Sequence, residues 1–356
     1  RAGLRHGRGK LTAADGSSYD GEYQDGVMHG RGLWVDARGN RYEGALRKGK
    51  PHGKGIYVAK NGDRYEGDFD DGVNKGKGRF EWANGESYEG AVADGKPHGR
   101  GVFRTADGGR YEGDIVKGVM HGQGVLVMAN GDTYEGAFRD GKIEGQGAFR
   151  WAGGARYEGT LKAGRPHGHG VYTSADGSRY EGPFRGGAMH GRSVYTFANG
   201  NRYEGEVKDG RLEGEGVLVT AAGDRYEGQF RNGLLEGSGV LVSADGRRYK
   251  GKFKKGLLDG QGVLTGAAGY RYEGTFKAGL PSGRGVIAWG KSGRYEGAVE
   301  AGLMHGQGLF ANADGDAYEG GFVRGRQHGL GKCRNGKDGP WQKCEWKHGE
   351  IVGWPE

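Results

Sequence analysis

Cysteine is nearly missing from this chain: two occur, Cys333 and Cys344, both near the C-terminus. A small secreted scaffold stapled by disulfides needs a denser set, so that class is excluded and a reducing compartment is expected. Proline is scarce as well, at 7 of 356 residues. No stretch approaches the roughly 18 consecutive apolar residues of a membrane-spanning helix, and no apolar segment with a charged flank opens the chain, so neither a span nor a signal peptide is expected in it. Runs of like charge are also lacking. The 53 basic and 45 acidic residues are interspersed, which describes a mixed solvated surface rather than a nucleic-acid footprint. No P-loop, Rossmann fingerprint, kinase set or nucleophile with an activating base stands out, and no enzymatic activity is expected.

Apolar residues make up only 34% and mean hydropathy is −0.80, too little for a thick core. Yet Tyr 19, Phe 12 and Trp 7 exceed what disordered segments carry. An ordered but thin structure is implied. What the chain has in excess is glycine, 82 residues, and the glycines are periodic.

Fourteen tyrosines run from Tyr19 to Tyr318 at a constant interval of 23, and Trp341 occupies the next place. Glycine follows each tyrosine by two positions, and an apolar residue such as Phe69, Phe138, Phe184 or Phe230 by four. Then come a second glycine, a tetrapeptide such as HGRG at His29 or HGQG at His121, an apolar pair such as Val102 and Phe103, and a turn such as ANGD at Ala129. Because side chains alternate along a strand, Tyr134, Gly136 and Phe138 share one face while Glu135 and Ala137 share the other. Each unit therefore reads as a β-hairpin. Fifteen in series form an all-β, single-layer antiparallel sheet, a rod or trough about 140 Å long at the usual strand spacing. Glycine on the tyrosine face leaves room for a neighbouring ring.

The string YEGxFxxGxxHGxGxxxxxxGxR resembles the MORN repeat, the membrane occupation and recognition nexus, over essentially the whole chain. The resemblance implies an elongated β-hairpin solenoid. It implies a scaffold for cytoskeletal or axonemal proteins, in the cytoplasm at a cilium, flagellum or basal body, with a tendency to homodimerise. The expected organisation is a partial unit over residues 1–18, fourteen repeats over 19–340 and a divergent capping hairpin over 341–356.

Candidate sites follow from the columns. The aromatic face, Tyr65, Phe69, Tyr88, Phe103, Tyr111, Tyr134, Phe138, Phe149, Tyr157, Tyr172, Tyr180, Tyr195 and Tyr203, is expected to form an apolar groove that holds a helix or extended peptide. Arginine precedes the tyrosine in ten units, as at Arg64, and glutamate follows in most, as at Glu66, which predicts a mixed-charge ladder on the opposite face. Anionic phospholipid binding by those arginines, or membrane tethering, is the alternative function. The histidine column is not held for one chemistry, since Lys75, Glu144, Glu213, Glu236, Asp259 and Ser282 replace it. Trp341, Trp346 and Trp354 suit a cap or a dimer contact. Cys333, Cys344, His328 and His348 form a candidate zinc quartet, with two buried thiols in the cap as the other reading. No other cofactor is expected. Because the chain opens on Arg1 in mid-unit, a regulatory arm of a larger enzyme stays open as a third reading.

Overall fold

The computed structural model describes residues 3–355; Arg1, Ala2 and Glu356, at the outer ends of the expected first and last segments, lie outside them. The described residues contain no α-helix, one short 3-10 turn at Ala267–Gly269, and otherwise antiparallel strands and turns. They fall into two compact units, Arg1–Ala175 and Asp176–Glu356. Within each, successive strands pair in hairpin order as expected. No helix among them is long and apolar enough to cross a membrane.

One repeat shows how 23 residues are consumed. Strand Arg41–Arg47 is followed by a two-residue turn in which Lys48 and Gly49 both have positive φ, 50° and 78°. That is the primed turn whose twist suits a tight hairpin. Strand Lys50–Val58 returns, and a loop closed by bonds from Ala59 N–H to Asp63 O (2.7 Å) and Gly62 N–H to Ala59 O (2.9 Å) leads to the next strand. Gly44 pairs with Gly55 but Leu46 pairs with Pro51, so the return strand carries a bulge, with Gly53 at φ 72°. The two glycines of the HGxG tetrapeptide thus have different tasks. The first makes the bulge and the second lies in the ladder.

That second glycine forms half of a floor. A methyl group on Gly147 would stand 2.5 Å from Tyr134 Cε2, and one on Gly136 would meet both Tyr134 and the Gly147 backbone. The room is taken by the unit's own tyrosine rather than a neighbour's, a correction to the expected packing. Lying across the glycine pair, the ring becomes fully buried, and its hydroxyl donates to the carbonyl three residues on: Tyr42 to Ala45 O at 2.7 Å, Tyr134 to Ala137 O at 3.0 Å. Burying such a ring contributes about 2 kcal/mol and the hydroxyl bond about 1 kcal/mol. The apolar column then links units. Phe69 stands edge-on between Tyr42 and Tyr65, 5.1 Å from each, and Phe138 stands likewise between Tyr111 and Tyr134. Such edge-to-face contacts let one layer pack along itself.

Three departures sharpen the rule. Ser193 replaces a floor glycine, its Cβ standing where a methyl group on Gly182 would meet it at 2.5 Å, and in the same unit the return strand is split into Ala188–Met189 and Gly191–Thr196. Tyr226 and Tyr249 are only half-buried; Leu235 and Leu258 occupy the floors over Gly239 and Gly262 in their place. The last unit slips by one place. Cys333 pairs with Gln342 just as Phe310 pairs with Tyr318, so Gln342, not Trp341, stands at the tyrosine position.

Burial pushes the phenols of Tyr42, Tyr65, Tyr88, Tyr111, Tyr157 and Tyr203 up to about 12. Above the ordinary value of 10 the unfolded chain releases these protons while the folded chain keeps them, so stability is complete below pH 10 and is lost as pH rises toward 12. We expect a flat urea midpoint up to about pH 10 and a steep fall above it, with tyrosinate absorbance from the column rising only as β-sheet circular dichroism is lost. Tyrosinate appearing with the sheet intact would contradict the buried column. Gly147→Ala should cost about 1–3 kcal/mol by overpacking. Tyr134→Phe should cost about 1 kcal/mol, and Tyr226→Phe, with no such hydroxyl bond to lose, close to nothing in the same urea titration.

Candidate interaction surface

Most of the expected aromatic groove is closed. Tyr65, Phe69, Tyr88, Tyr111, Tyr134, Phe138, Phe149, Tyr157, Tyr180 and Tyr203 are buried, most of the tyrosines completely. The glycine floor lets each ring lie down and cover itself, so these residues are core. Phe103, Tyr172 and Tyr195 stay half-buried, each beside a second ring: Trp82 to Phe103 5.7 Å and Trp151 to Tyr172 5.9 Å in the first unit, Tyr195 to Phe197 4.2 Å in the second.

On the tyrosine face of the first unit a concavity of about 370 Å³ remains, lined by Phe103, Tyr111, Ile115, Met120 and Leu126, and the opposite face carries a larger groove of about 1640 Å³. Its lining is charged, with Glu43, Glu66, Arg31 and Lys54 among it, and is interspersed with Leu33, Ile56 and Val102. The mixed-charge ladder is present on this side: Arg41 meets Glu43 at 2.7 Å, Arg202 meets Glu204 at 3.1 Å and Arg294 meets Glu296 at 2.8 Å, each pair on one strand. Such exposed pairs stabilise little, but they occupy the guanidinium groups that a phosphate would need.

Several members of the histidine column share a physical role. His98 Nδ1 accepts a hydrogen bond from Lys117 N–H at 3.4 Å, and His121 Nδ1 accepts one from Asp140 N–H at 3.5 Å. Lys117 and Asp140 sit in the primed turn of the following unit. Where the column is acidic the carboxylate does the same: Glu213 accepts from Asn232 N–H at 3.1 Å, Glu236 from Lys255 N–H at 2.9 Å and Asp259 from Ala278 N–H at 3.2 Å. In these units an acceptor ties one unit's bulge to the next unit's turn, whereas Lys75 pairs with Asp70 instead and His52 and His190 leave Nδ1 without a hydrogen-bond partner among the described residues. At the other edge Asp63 and Asp132 accept from Ala83 and Ala152 N–H, at 2.9 and 2.8 Å. The bond from Ala83 is the first reason the Asp63 carboxyl lies below its ordinary range. One histidine, His52, lies with Asp70 and Asp71 within 4.8 Å, but Arg47 and Lys75 already pair with those carboxylates, at 3.0 Å to Asp71 and 3.1 Å to Asp70.

At the C-terminal end Cys333 and Cys344 lie on adjacent strands as expected, but they are joined in a disulfide rather than held as thiols. Cys344 takes the floor-glycine place, opposite Gly331, and with no tyrosine ring above it the bridge fills the vacated space. Both sulfurs are consumed, so in this form they offer no thiolates and the zinc quartet is not assembled; the His328 and His348 rings rest against each other at 4.9 Å. Trp346 caps the last tyrosine, Tyr318, at 5.7 Å and donates its indole N–H to Cys333 Sγ at 3.1 Å. Trp341 lies under Arg334 at 5.1 Å and, like Trp354, is exposed.

Two surface features were missed in the sequence. One is the column Arg8, Arg31, Lys54, Lys77 and Arg100 along the groove; the other is the exposed row Leu234, Leu257, Leu280 and Leu303 beside the primed turns of the second unit. Both repeat at 23 residues, so reading each repeat position down the chain would have found them. For the histidine column, His121→Ala should cost about 0.5–1.5 kcal/mol in urea titration while His121→Glu, which keeps an acceptor, stays near wild type. Equal losses for both would remove the capping role.

Fifteen consecutive stretches match the MORN repeat, from residues 1–18 and 19–41 through 318–337. No curated protein matches the sequence of this chain. Among solved structures, the TCP domain of SAS-4 (dCPAP) of Drosophila melanogaster, in complex with a proline-rich motif of Ana2, is 12% identical, covering 48% of this chain and 86% of that one at a TM-score of 0.28. The TCP10 domain of Danio rerio CPAP with a STIL peptide is 12% identical over 70% of this chain and 94% of that one, at 0.29. Virginiamycin B lyase of Staphylococcus aureus is 10% identical over 75% and 94%, at 0.13. Likenesses at that level add nothing about function, whereas the repeat matches follow one another over nearly the full length, and the chain belongs to the MORN-repeat family.

Proposed function

We propose that this chain is a non-enzymatic scaffold that holds protein partners on the groove face of its repeats within a cytoskeletal assembly, at a cilium, flagellum or basal body. The observation that carries this reading is the division of labour between the two faces. Most of the tyrosine face is consumed by the fold, while the opposite face of the first unit is a larger open groove lined by charged and aliphatic side chains that no packing requires. A sheet surface free of structural duty is the kind on which partners dock. A chain built almost wholly of such repeats supplies that surface at length. Exposed Trp341, Trp354 and Val352 near the C-terminus support end-to-end self-association into a homodimer.

Anionic phospholipid is the competing ligand. Against it stand the glutamates interleaved with the arginines, which hold those guanidinium groups in ion pairs. The test is to tag the protein in its own cells, extract with non-ionic detergent, and cross-link what remains. We expect retention with the insoluble cytoskeleton and cross-links from lysines of the groove face, such as Lys54 and Lys77, to neighbouring proteins. Release with the lipid fraction would sink the scaffold reading.

A further inference from the structure

The five cations Arg8, Arg31, Lys54, Lys77 and Arg100 occupy the same place in five successive units, one residue before the floor glycine, and all are exposed in the groove. Their cross-strand neighbours alternate. Arg8 faces Glu22, Lys54 faces Asp68 and Arg100 faces Asp114, whereas Arg31 and Lys77 face Ala45 and Ala91. Lys54 pairs with Asp68 at 2.6 Å and Arg100 approaches Asp114 at 3.8 Å. Arg31 and Lys77 make no side-chain ion pair among the described residues. Farther along, the same place holds Gln123, Gln146 and His169, so the basic column ends within the first unit. A parallel acidic row, including Glu43, Glu66 and Glu112, is answered by Arg41, Arg64 and Arg110 on its own strands. Leu33, Ile56 and Val102 alternate with those glutamates in the same row, beside the basic column: Leu33 pairs with Glu43, Ile56 with Glu66 and Val102 with Glu112, while Arg79 takes the equivalent place opposite Glu66.

We propose that this groove seats an amphipathic α-helix of a partner protein, with an acidic residue every seventh position along the Arg8–Arg100 column and apolar side chains on Leu33, Ile56 and Val102. The inference rests on the scaffold reading and adds the partner's chemistry and register. The pitch selects the heptad: one unit advances the sheet by two strand spacings, about 9.6 Å, and seven helical residues rise about 10.5 Å. Over the whole column the mismatch grows to about 4 Å, within reach of flexible Arg and Lys side chains. Backbone chemistry selects the helix. A segment running along the groove crosses the strands, whose N–H and C=O groups are spent on one another, so an extended chain would find no backbone partners there; a helix brings its own. The column's free cations complement an acidic partner, and salt will weaken such a contact.

The probe is a helical peptide about four heptads long with Glu once per heptad beside two Leu positions, compared with a peptide of the same composition in permuted order and with phosphatidylserine vesicles. Binding to the full chain is read by fluorescence anisotropy and helix formation by circular dichroism. We expect the heptad peptide to bind as a helix, to weaken with added salt, and to lose about tenfold or more in affinity with Arg31→Glu/Lys77→Glu. The same charge change made by Arg192→Glu/Arg284→Glu in the second unit should leave binding unchanged. Equal binding of the permuted peptide, indifference to the first pair of substitutions, or vesicle binding that depends on Arg31 and Lys77 would overturn the proposal. Failure of the peptide while detergent-resistant cross-links persist would remove this inference alone, whereas loss of both would remove the scaffold reading.

Discussion

A tyrosine ring lying on two glycines is the contact from which the rest of this protein follows. A single sheet has no second layer to exclude water from its side chains, so each ring must find cover within its own hairpin. It does so where Gly44 meets Gly55, or Gly136 meets Gly147, because only a position without Cβ brings the ring down onto the backbone. The hydroxyl then reaches a carbonyl three residues away, which satisfies both the buried phenol and a ladder carbonyl loosened by the bulge. The glycine content is thus a packing device rather than a mark of flexibility. Where the ring is missing, as at Gln342, another group fills the space, and the Cys333–Cys344 bridge does so.

Order between units depends on smaller contacts repeated at both edges. The carbonyl of Met28 accepts from Gly49 N–H, that of Pro51 from Gly72 N–H, and so along the series, always across one unit boundary. Side-chain acceptors of the histidine column reinforce one edge, and Asn or Asp of the loops reinforce the other. Every one of these bonds is local, none reaching beyond the adjacent unit. Stability therefore accumulates by nearest-neighbour terms, as expected of a quasi-one-dimensional array.

Much of this was legible in the sequence. The 23-residue interval and the alternation of Tyr134, Gly136 and Phe138 place strands and faces correctly. What they cannot supply is where a ring goes once its strand is formed. Whether Tyr134 projects outward or lies down is a χ1 matter decided by the empty space above Gly147, so the exposed groove was assigned to the face that closes. Tyr226 has the same neighbours in sequence and a different fate, because Leu235 competes for its floor. Leu212 is equally available to Tyr203, which stays buried, so leucine at that place does not by itself decide the outcome. The exchange of His for Glu or Asp, which in sequence shows a position not held for one chemistry, keeps acceptor capacity in units such as those of Glu213 and Asp259.

The two faces are consequently under different constraints, and this bears on where specificity is written. On the tyrosine face an added methyl group collides with a ring, as at Gly147, where it would stand 2.5 Å from Tyr134 Cε2. On the opposite face the residue before each floor glycine points away from the packing, so Arg31, Lys77, Gln123, Glu215 and Leu330 are all accepted by the same backbone. A position that can vary without structural penalty varies either at random or under the demand of something outside the fold. Five cations in succession, followed by a mixture in which only Arg192 and Arg284 are basic, are hard to reconcile with the first of these, and the five lie in an open groove on the face away from the tyrosines.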